Sequence, residues 1–375
     1  MIIRSASLEN FRNIRSQKVE FSDGVNILYG SNAQGKTNLV EAIYYLACGK
    51  SFRGAKDREL IYFGENASRI YGDTSSDNRD QSIEIRLGSS KPKEIYINRV
   101  KIQKMREFMG TFRAVLFTPE HLSLIKGSPS ERRSFVDSAI CQLKPSFISL
   151  LFEYSKVLEQ RNALLKQYKL TGTDTSDGMM DYWNMKLSSD AALIIKERRE
   201  YIKKLNLCAG EFYDSFCSGK EKLTIKYSGI PEEYETAADI EKYITSKLEE
   251  SILSDIKNGA TSCGPHRDDL TVEIDGKLSR LYSSQGQQRS SILSMKLAEG
   301  EISHEKTGEY PVFLFDDILS ELDLDRQNYI LKEIHSKQVF ITGCIDYLFS
   351  SVKDASKIYV EKGVYQNRDI PSCGQ

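Results

Sequence analysis

Two stretches of this chain carry residue types and spacings suited to phosphate chemistry. Gly30-Ser-Asn-Ala-Gln-Gly-Lys-Thr37 fits the spacing G-x-x-x-x-G-K-[ST]. Gly30 and Gly35 let the backbone curl, so that N–H groups along Ser31, Asn32, Ala33 and Gln34 turn toward phosphate oxygens. Lys36 then reaches the β- and γ-phosphates, and the Thr37 hydroxyl ligates Mg²⁺. The second stretch, Val312-Phe-Leu-Phe-Asp316-Asp317, is an apolar strand ending in acid. A buried strand of this kind places Asp316 beside the phosphate loop, where its carboxylate holds Mg²⁺ directly or through water. Asp317 then faces the γ-phosphate and can orient or deprotonate an attacking water, so the expected catalytic pair is Lys36 and Asp317.

The flanking elements suit these roles. Gly24-Val-Asn-Ile-Leu-Tyr29 reads as a strand entering the loop, and Asn38 to Ala47 as a helix leaving it, with Leu39, Ile43 and Leu46 on one face and Gly49 as its stop. The helix N-terminus adds partial positive charge beneath the phosphates. A third stretch, Tyr282-Ser-Ser-Gln-Gly-Gln-Gln-Arg289, is a small-residue turn opening a helix over Ser290 to Glu301. It makes a second anion site, with Ser284 and exposed N–H groups as donors. A second cradle so far along one chain points to nucleotides shared by two chains across an interface.

Strand patterns dominate both ends. Residues 1–29 read as two strands joined by a turn at Phe21-Ser-Asp-Gly24. Glu94 to Ile102 reads as a tight hairpin around Asn98-Arg99, and Leu270 to Tyr282 as a hairpin around Asp275-Gly276. Arg113 to Phe117, Val312 to Phe315 and Val339 to Thr342 are continuous apolar runs of the buried parallel type. Between them helical periodicity takes over: Phe147 to Tyr168, a polar break over 171–178, Asp181 to Leu207, a short strand over Lys220 to Tyr227, and a helix over Asp239 to Ile256. The fold class is α/β. Residues 1–139 and 258–375 are expected to form one discontinuous lobe, with 140–257 as an inserted helical arm.

Composition excludes several classes. At 375 residues with 40% hydrophobic and 28% charged content, the chain can bury a full core, and no apolar run reaches the roughly 18 residues a membrane span needs. The start alternates like a strand and lacks a signal peptide's apolar core. Seven scattered cysteines, never spaced C-x-x-C, imply a reduced cytoplasmic protein without disulfide framework or zinc site. A net charge of −1 gives no global attraction to nucleic acid, so DNA binding needs a segregated basic face. Candidate clusters are Arg132 with Arg133, Lys196 to Arg199, Lys203-Lys204, and Arg99, Lys101, Lys104 and Arg106. Each also fits an ordinary solvated face, and Arg132 and Arg133 also fit an interface.

GSNAQGKT, SSQGQQR and FLFDD followed by Ser320-Glu-Leu-Asp323 resemble the ABC-type P-loop ATPase heads of the SMC class, whose fold combines a mixed sheet, an antiparallel subdomain and an inserted helical arm. The chain is closer still to the RecF family of bacterial recombination and gap-repair proteins. Pro119 to Pro129, Arg132-Arg-Ser-Phe-Val-Asp137, Gly264-Pro-His-Arg-Asp-Asp-Leu270, Ser284 to Arg289, Phe11-Arg-Asn13 and Ser51-Phe-Arg53 all look like that family. The resemblance implies a head that dimerises on ATP. Each phosphate loop would meet the partner's signature turn (Ser284, Gly286 and Gln287), with Asp323 at the seam. ATP with Mg²⁺ would act as a clamp on single-stranded, gapped or junction DNA. The family works with RecO and RecR, promotes RecA loading and SOS induction, and acts in the cytoplasm.

Three departures from an ordinary ABC ATPase favour a slow switch over a motor. Asp317 stands where a glutamate is usual. Thr118-Pro-Glu-His121 replaces the glutamine loop, and Thr342-Gly-Cys-Ile-Asp346 has no switch histidine. The same departures, with the long arm, argue against an ABC-transporter ATPase subunit. A P-loop kinase needs neither the Ser284 turn nor the Asp323 segment. His266 and Arg267 lie in a family motif and fit a structural turn equally well.

Overall fold

The computed structural model describes residues 1–375 except 78, 173–177, 335, 344–354 and 368–375. It forms two compact units, Met1–His121 with Leu293–Gln375, and Leu122–Ile292.

The first unit holds two sheets. One is antiparallel, ordered β2-β1-β4-β5-β6-β7, built from β1 (Ile2–Phe11), β2 (Ile14–Glu20), β4 (Ala67–Ser76), β5 (Arg79–Gly88), β6 (Glu94–Ile97) and β7 (Val100–Lys101). The first turn differs from expectation. The chain reverses at Arg12-Asn13, where Phe11 pairs with Ile14, and the Phe21–Gly24 segment leaves this sheet for the next one. The Asn98-Arg99 turn forms as its residues require, both with φ near +50 to +66°.

The other sheet is ordered β15-β14-β3-β13-β12-β8, from β3 (Val25–Tyr29), β8 (Ala114–Phe117), β12 (Val312–Phe315), β13 (Val339–Gly343), β14 (Ser356–Glu361) and β15 (Val364–Asn367). Its strands run parallel except β15, which returns antiparallel on β14. The apolar runs in β3, β8, β12 and β13 are buried throughout, as strands covered on both faces must be. Helix α1 (Lys36–Cys48) packs against β4 and β5 of one sheet and β8 and β13 of the other. That sandwich explains why Leu39, Val40, Ala42, Ile43, Leu46 and Ala47 are all buried rather than forming a single stripe. Gly49 closes the helix in the left-handed conformation. The short α2 (Met105–Phe108) precedes β8, and α11 (Leu324–Glu333) follows β12.

The second unit is mostly helical: the short α3 (Ser123–Lys126), α4 (Pro129–Leu143), α5 (Ser146–Thr171), α6 (Met179–Cys217), α7 (Ala237–Glu250) and α8 (Ile252–Asn258). It also contains a three-stranded sheet ordered β11-β10-β9, from β9 (Leu223–Ser228), β10 (Asp269–Ile274) and β11 (Lys277–Leu278). This unit begins and ends outside the expected 140–257. The reason is packing: α4 lies against α6 and β10, and β10 pairs along its whole length with β9. Two further elements depart from expectation. The helix over 239–256 breaks at Ser251, whose hydroxyl bonds back to the Leu248 carbonyl and forward to Asp255. The strand expected after Asp275-Gly276 stops at Leu278, and Ser279–Tyr282 turns into helix α9 before α10 (Gln285–Thr307).

A buried polar network ties the helices together. Arg161 on α5 donates to Asn184 on α6, to Asp255 on α8 and to Thr261, at 2.7–2.9 Å, and both Arg161 and Asp255 are fully buried. Beside it Leu164, Leu165, Tyr168 and Met180 form an apolar cluster covered by Trp183, Ile252 and Ile256.

Candidate functional site

The loop from Gly30 to Gly35 leaves the buried edge of β3 and feeds α1 directly. Gly30 (φ 144°), Ala33 (φ 63°) and Gly35 (φ 117°) all take positive φ, which is the curl an anion-binding loop needs. Lys36 is buried, and its Nζ donates to the carbonyls of Gly30 (2.7 Å) and Ser31 (3.1 Å), folded over its own loop. Ser31, Asn32 and Ala33 are exposed at the mouth.

The strand β12 delivers its acids to this loop. The Thr37 hydroxyl donates to Asp316 Oδ1 at 2.9 Å, and Thr342 at the end of β13 donates to the same oxygen at 2.9 Å. Asp316 is buried, and burial, reinforced by Asp317 and Glu120 nearby, pushes its carboxyl up to about 6. A divalent cation would hold such a group ionised, so Thr37 and Asp316 fit a Mg²⁺ site in donor type and placement. Asp317 is exposed, has φ 52°, and its backbone N–H donates to Thr342 Oγ1 (2.9 Å). Glu120, in the Thr118–His121 segment that stands in place of a glutamine loop, lies close enough to act on Asp316.

Thr37, Lys36 and Asp317 open into a cleft of about 960 Å³ that is also lined by Arg12, Asn13, Arg53, Arg58 and Tyr62. Arg12 and Arg53 are positioned by Glu41, a fully buried carboxylate on α1. It accepts two bonds from Arg12 (2.7 and 2.9 Å) and one from Ser51 (2.5 Å), with Arg53 at 4.0 Å. Glu41 went unnoticed in the sequence, although an acid on an otherwise apolar helix was a visible signal that a cation must meet it.

The other expected site residues fall as follows. Ser284 is exposed and caps α10: its Oγ receives Gln287 N–H at 3.3 Å, while Gln287 Oε1 receives Ser284 N–H at 2.8 Å. Gln287 also donates to Glu221, and Gly286 sits in the same first turn. Asp323 caps α11 through the Arg326 N–H and pairs with the Arg326 side chain at an exposed position.

Arg132 does not present a free fork for DNA. It is buried, bidentate to Asp269 (2.7 and 2.8 Å), and bonded to the Gly127 carbonyl. Arg133, half-buried, donates to the Asp268 carbonyl. Arg198 is committed to Asp137 and the Pro265 carbonyl, and Arg199 to three carbonyls over 230–234. Lys203, Lys204, Arg99, Lys104 and Arg106 remain exposed. His266 accepts from Tyr154 at Nδ1 (2.6 Å) and donates from Nε2 to Thr261 O (3.1 Å); burial lowers it to about 4, so it stays neutral as part of a turn. Arg267 bonds the same carbonyl. Residues 344–346, where an ordinary ABC ATPase would place its switch histidine, lie outside the described residues.

Comparison with known proteins places the fold in a known family. The RecF/RecN/SMC N-terminal domain family matches residues 2–366. A DNA replication and repair protein RecF from Ruminiclostridium cellulolyticum is 44% identical over 346 residues, covering 91% of this chain and 92% of the relative. The protein of the same name from Clostridium beijerinckii is 40% identical over 359 residues, covering 94% and 96%. A solved structure of the recombination mediator protein RecF-ATPrS in the RecFOR pathway superposes with a TM-score of 0.91 at 37% identity, covering 98% of both chains. An SMC head bound to the C-terminal winged helix of ScpA shares the fold alone, with a TM-score of 0.58 at 15% identity. Among the described residues no helix is long and apolar enough to cross a membrane. The chain belongs to the RecF family of DNA replication and repair proteins, within the SMC-like class of ABC-type ATPase heads.

Proposed function

We propose that this protein is an ATP-gated DNA clamp of recombinational repair, hydrolysing ATP slowly to release its grip. The observation that carries the reading is the 2.9 Å bond from Thr37 to Asp316, which joins the phosphate loop to the acidic end of β12 and assembles a magnesium-nucleotide site. The N–H groups of Gly30 to Thr37 bind the phosphates, and Lys36 swings from the Gly30 and Ser31 carbonyls to the β- and γ-phosphates. Thr37 and Asp316 would hold Mg²⁺, which would supply positive charge against the phosphates. Asp317 orients the attacking water and takes its proton as the bond from the γ-phosphorus to the bridging oxygen breaks, leaving ADP and phosphate. An aspartate reaches one methylene less far than a glutamate, which fits a timer.

The second half of the site comes from another copy. Ser284, exposed at the start of α10 with Gly286 and Gln287, supplies an anion-binding turn to the partner's nucleotide, and Asp323 lies at the seam. DNA is held through exposed bases such as Arg99, Lys104 and Arg106 or Lys203-Lys204, not through Arg132. The solved relative named for the RecFOR pathway supports RecR and RecO as partners; RecA loading follows as part of the proposed role.

Binding to gapped, single-stranded and blunt duplex DNA, with and without ATP, tests this reading. Gapped duplex should bind more tightly with ATP, and log affinity should fall linearly with log salt, with a slope set by the phosphates neutralised. No binding to gapped duplex at low salt with ATP would sink the DNA half of the proposal.

A further inference from the structure

We infer that the hairpin β14–β15, through the buried hydroxyl of Tyr365, is the element that holds the phosphate loop in its anion-binding shape. The inference rests on the nucleotide reading of Gly30 to Thr37. A trans peptide points its C=O and N–H to opposite sides, so pinning one aims the other. The Gln34 carbonyl accepts from Gly363 N–H (2.8 Å) and from Asn13 Nδ2 (3.3 Å). The next carbonyl, Gly35, accepts from the Tyr365 hydroxyl (2.8 Å) in addition to the Asn38 and Leu39 N–H groups of α1 (3.0 and 3.3 Å). The hairpin thus holds the Gln34 carbonyl and adds a bond to the Gly35 carbonyl that caps α1, and the N–H groups of Gly35 and Lys36 are directed away from these bonds. The Gln34 side chain is fixed as well, its Oε1 accepting from Lys362 N–H at 2.7 Å.

Shape matches these bonds. A Cβ on Gly30 would lie 2.2 Å from the Val360 carbonyl oxygen, and one on Gly363 would lie 2.7 Å from the Asn13 carbonyl oxygen. The hairpin turns on Lys362 (φ 48°) and Gly363 (φ 77°), a two-residue turn that twists with its strands. β14 pairs with β3 from Ser356↔Asn26 to Tyr359↔Tyr29, so the brace is anchored to the strand that ends in the loop. Tyr365 is 7% exposed, and burial raises its hydroxyl, which keeps it a donor. Tyr365 is therefore a positioning residue: it acts on phosphates through the Gly35–Lys36 peptide.

Calorimetric titration of the full chain with ATP and Mg²⁺ tests this. Tyr365→Phe removes only the hydroxyl and should weaken binding about three- to tenfold, the worth of one hydrogen bond. Asn13→Ala, at an exposed side chain, should weaken it about two- to fivefold. Ile83→Ala in the core of β5 should lower the thermal midpoint yet leave ATP affinity within about twofold, which separates aiming the loop from general stability. If Tyr365→Phe and Asn13→Ala both bind ATP like wild type while Lys36→Ala does not, the brace is refuted and the nucleotide site stands. Should Lys36→Ala also bind normally, both readings fall.

Discussion

Lys36→Ala is expected to bind ATP with Mg²⁺ about 100-fold or more weakly and to show no measurable hydrolysis. The lysine would make charge-assisted bonds to two phosphates, each worth ~1.5–3 kcal/mol, so their combined loss exceeds two orders of magnitude. The nucleotide-free chain should tolerate the change. Lys36 is buried but lines a wide cleft, and its side chain bonds the Gly30 and Ser31 carbonyls, which water entering the cleft can satisfy instead. Its thermal midpoint should therefore stay within about 2–4 °C of wild type. Titration calorimetry, phosphate release and thermal unfolding together check this, and wild-type turnover in the variant would remove the phosphate-loop assignment.

Asp255→Ala is expected to cost about 3–5 kcal/mol, because it strands the fully buried guanidinium of Arg161 without its counter-charge. Asp255 also accepts from the Ser262 N–H and hydroxyl, so the end of α8 and the segment after it loosen together. At ~2–4 °C per kcal/mol for a unit of this size, thermal unfolding of Leu122–Ile292 should fall by about 6–20 °C. The paired change Arg161→Met with Asp255→Leu should recover most of the loss, since no charge is then buried. A single variant as stable as wild type would show that the ion pair contributes no net stability.

What was legible in the chain was local. The spacing from Gly30 to Thr37, the acid after the apolar run at Phe315, and the hairpins at Asn98-Arg99 and Asp275-Gly276 depend on residues a few positions apart, where backbone preference dominates. What escaped depends on distant partners. Arg132 reads as a free base until Asp269, far along the chain, fills its fork. Arg12 gains its place largely through Glu41, and Arg53 through Glu41 and Asn38. The bounds of the helical unit moved because β10 pairs with β9, a partnership that periodicity cannot assign. The C-terminal hairpin was overlooked despite a usable signal. Lys362-Gly363 sits between alternating strands, Ser356 to Glu361 and Val364 to Asn367. Its bearing on Gly35 is visible only in three dimensions.

The proposed clamp requires two copies of the chain to close on ATP. Asp317→Asn should slow hydrolysis while leaving Lys36, Thr37 and Asp316 to hold the nucleotide, so it traps the closed state. Sedimentation of this variant should give a monomer without nucleotide and a dimer with ATP and Mg²⁺, and Ser284→Arg in the same background should return it to monomer. A chain that binds ATP yet stays monomeric at every concentration would contradict the shared-site account.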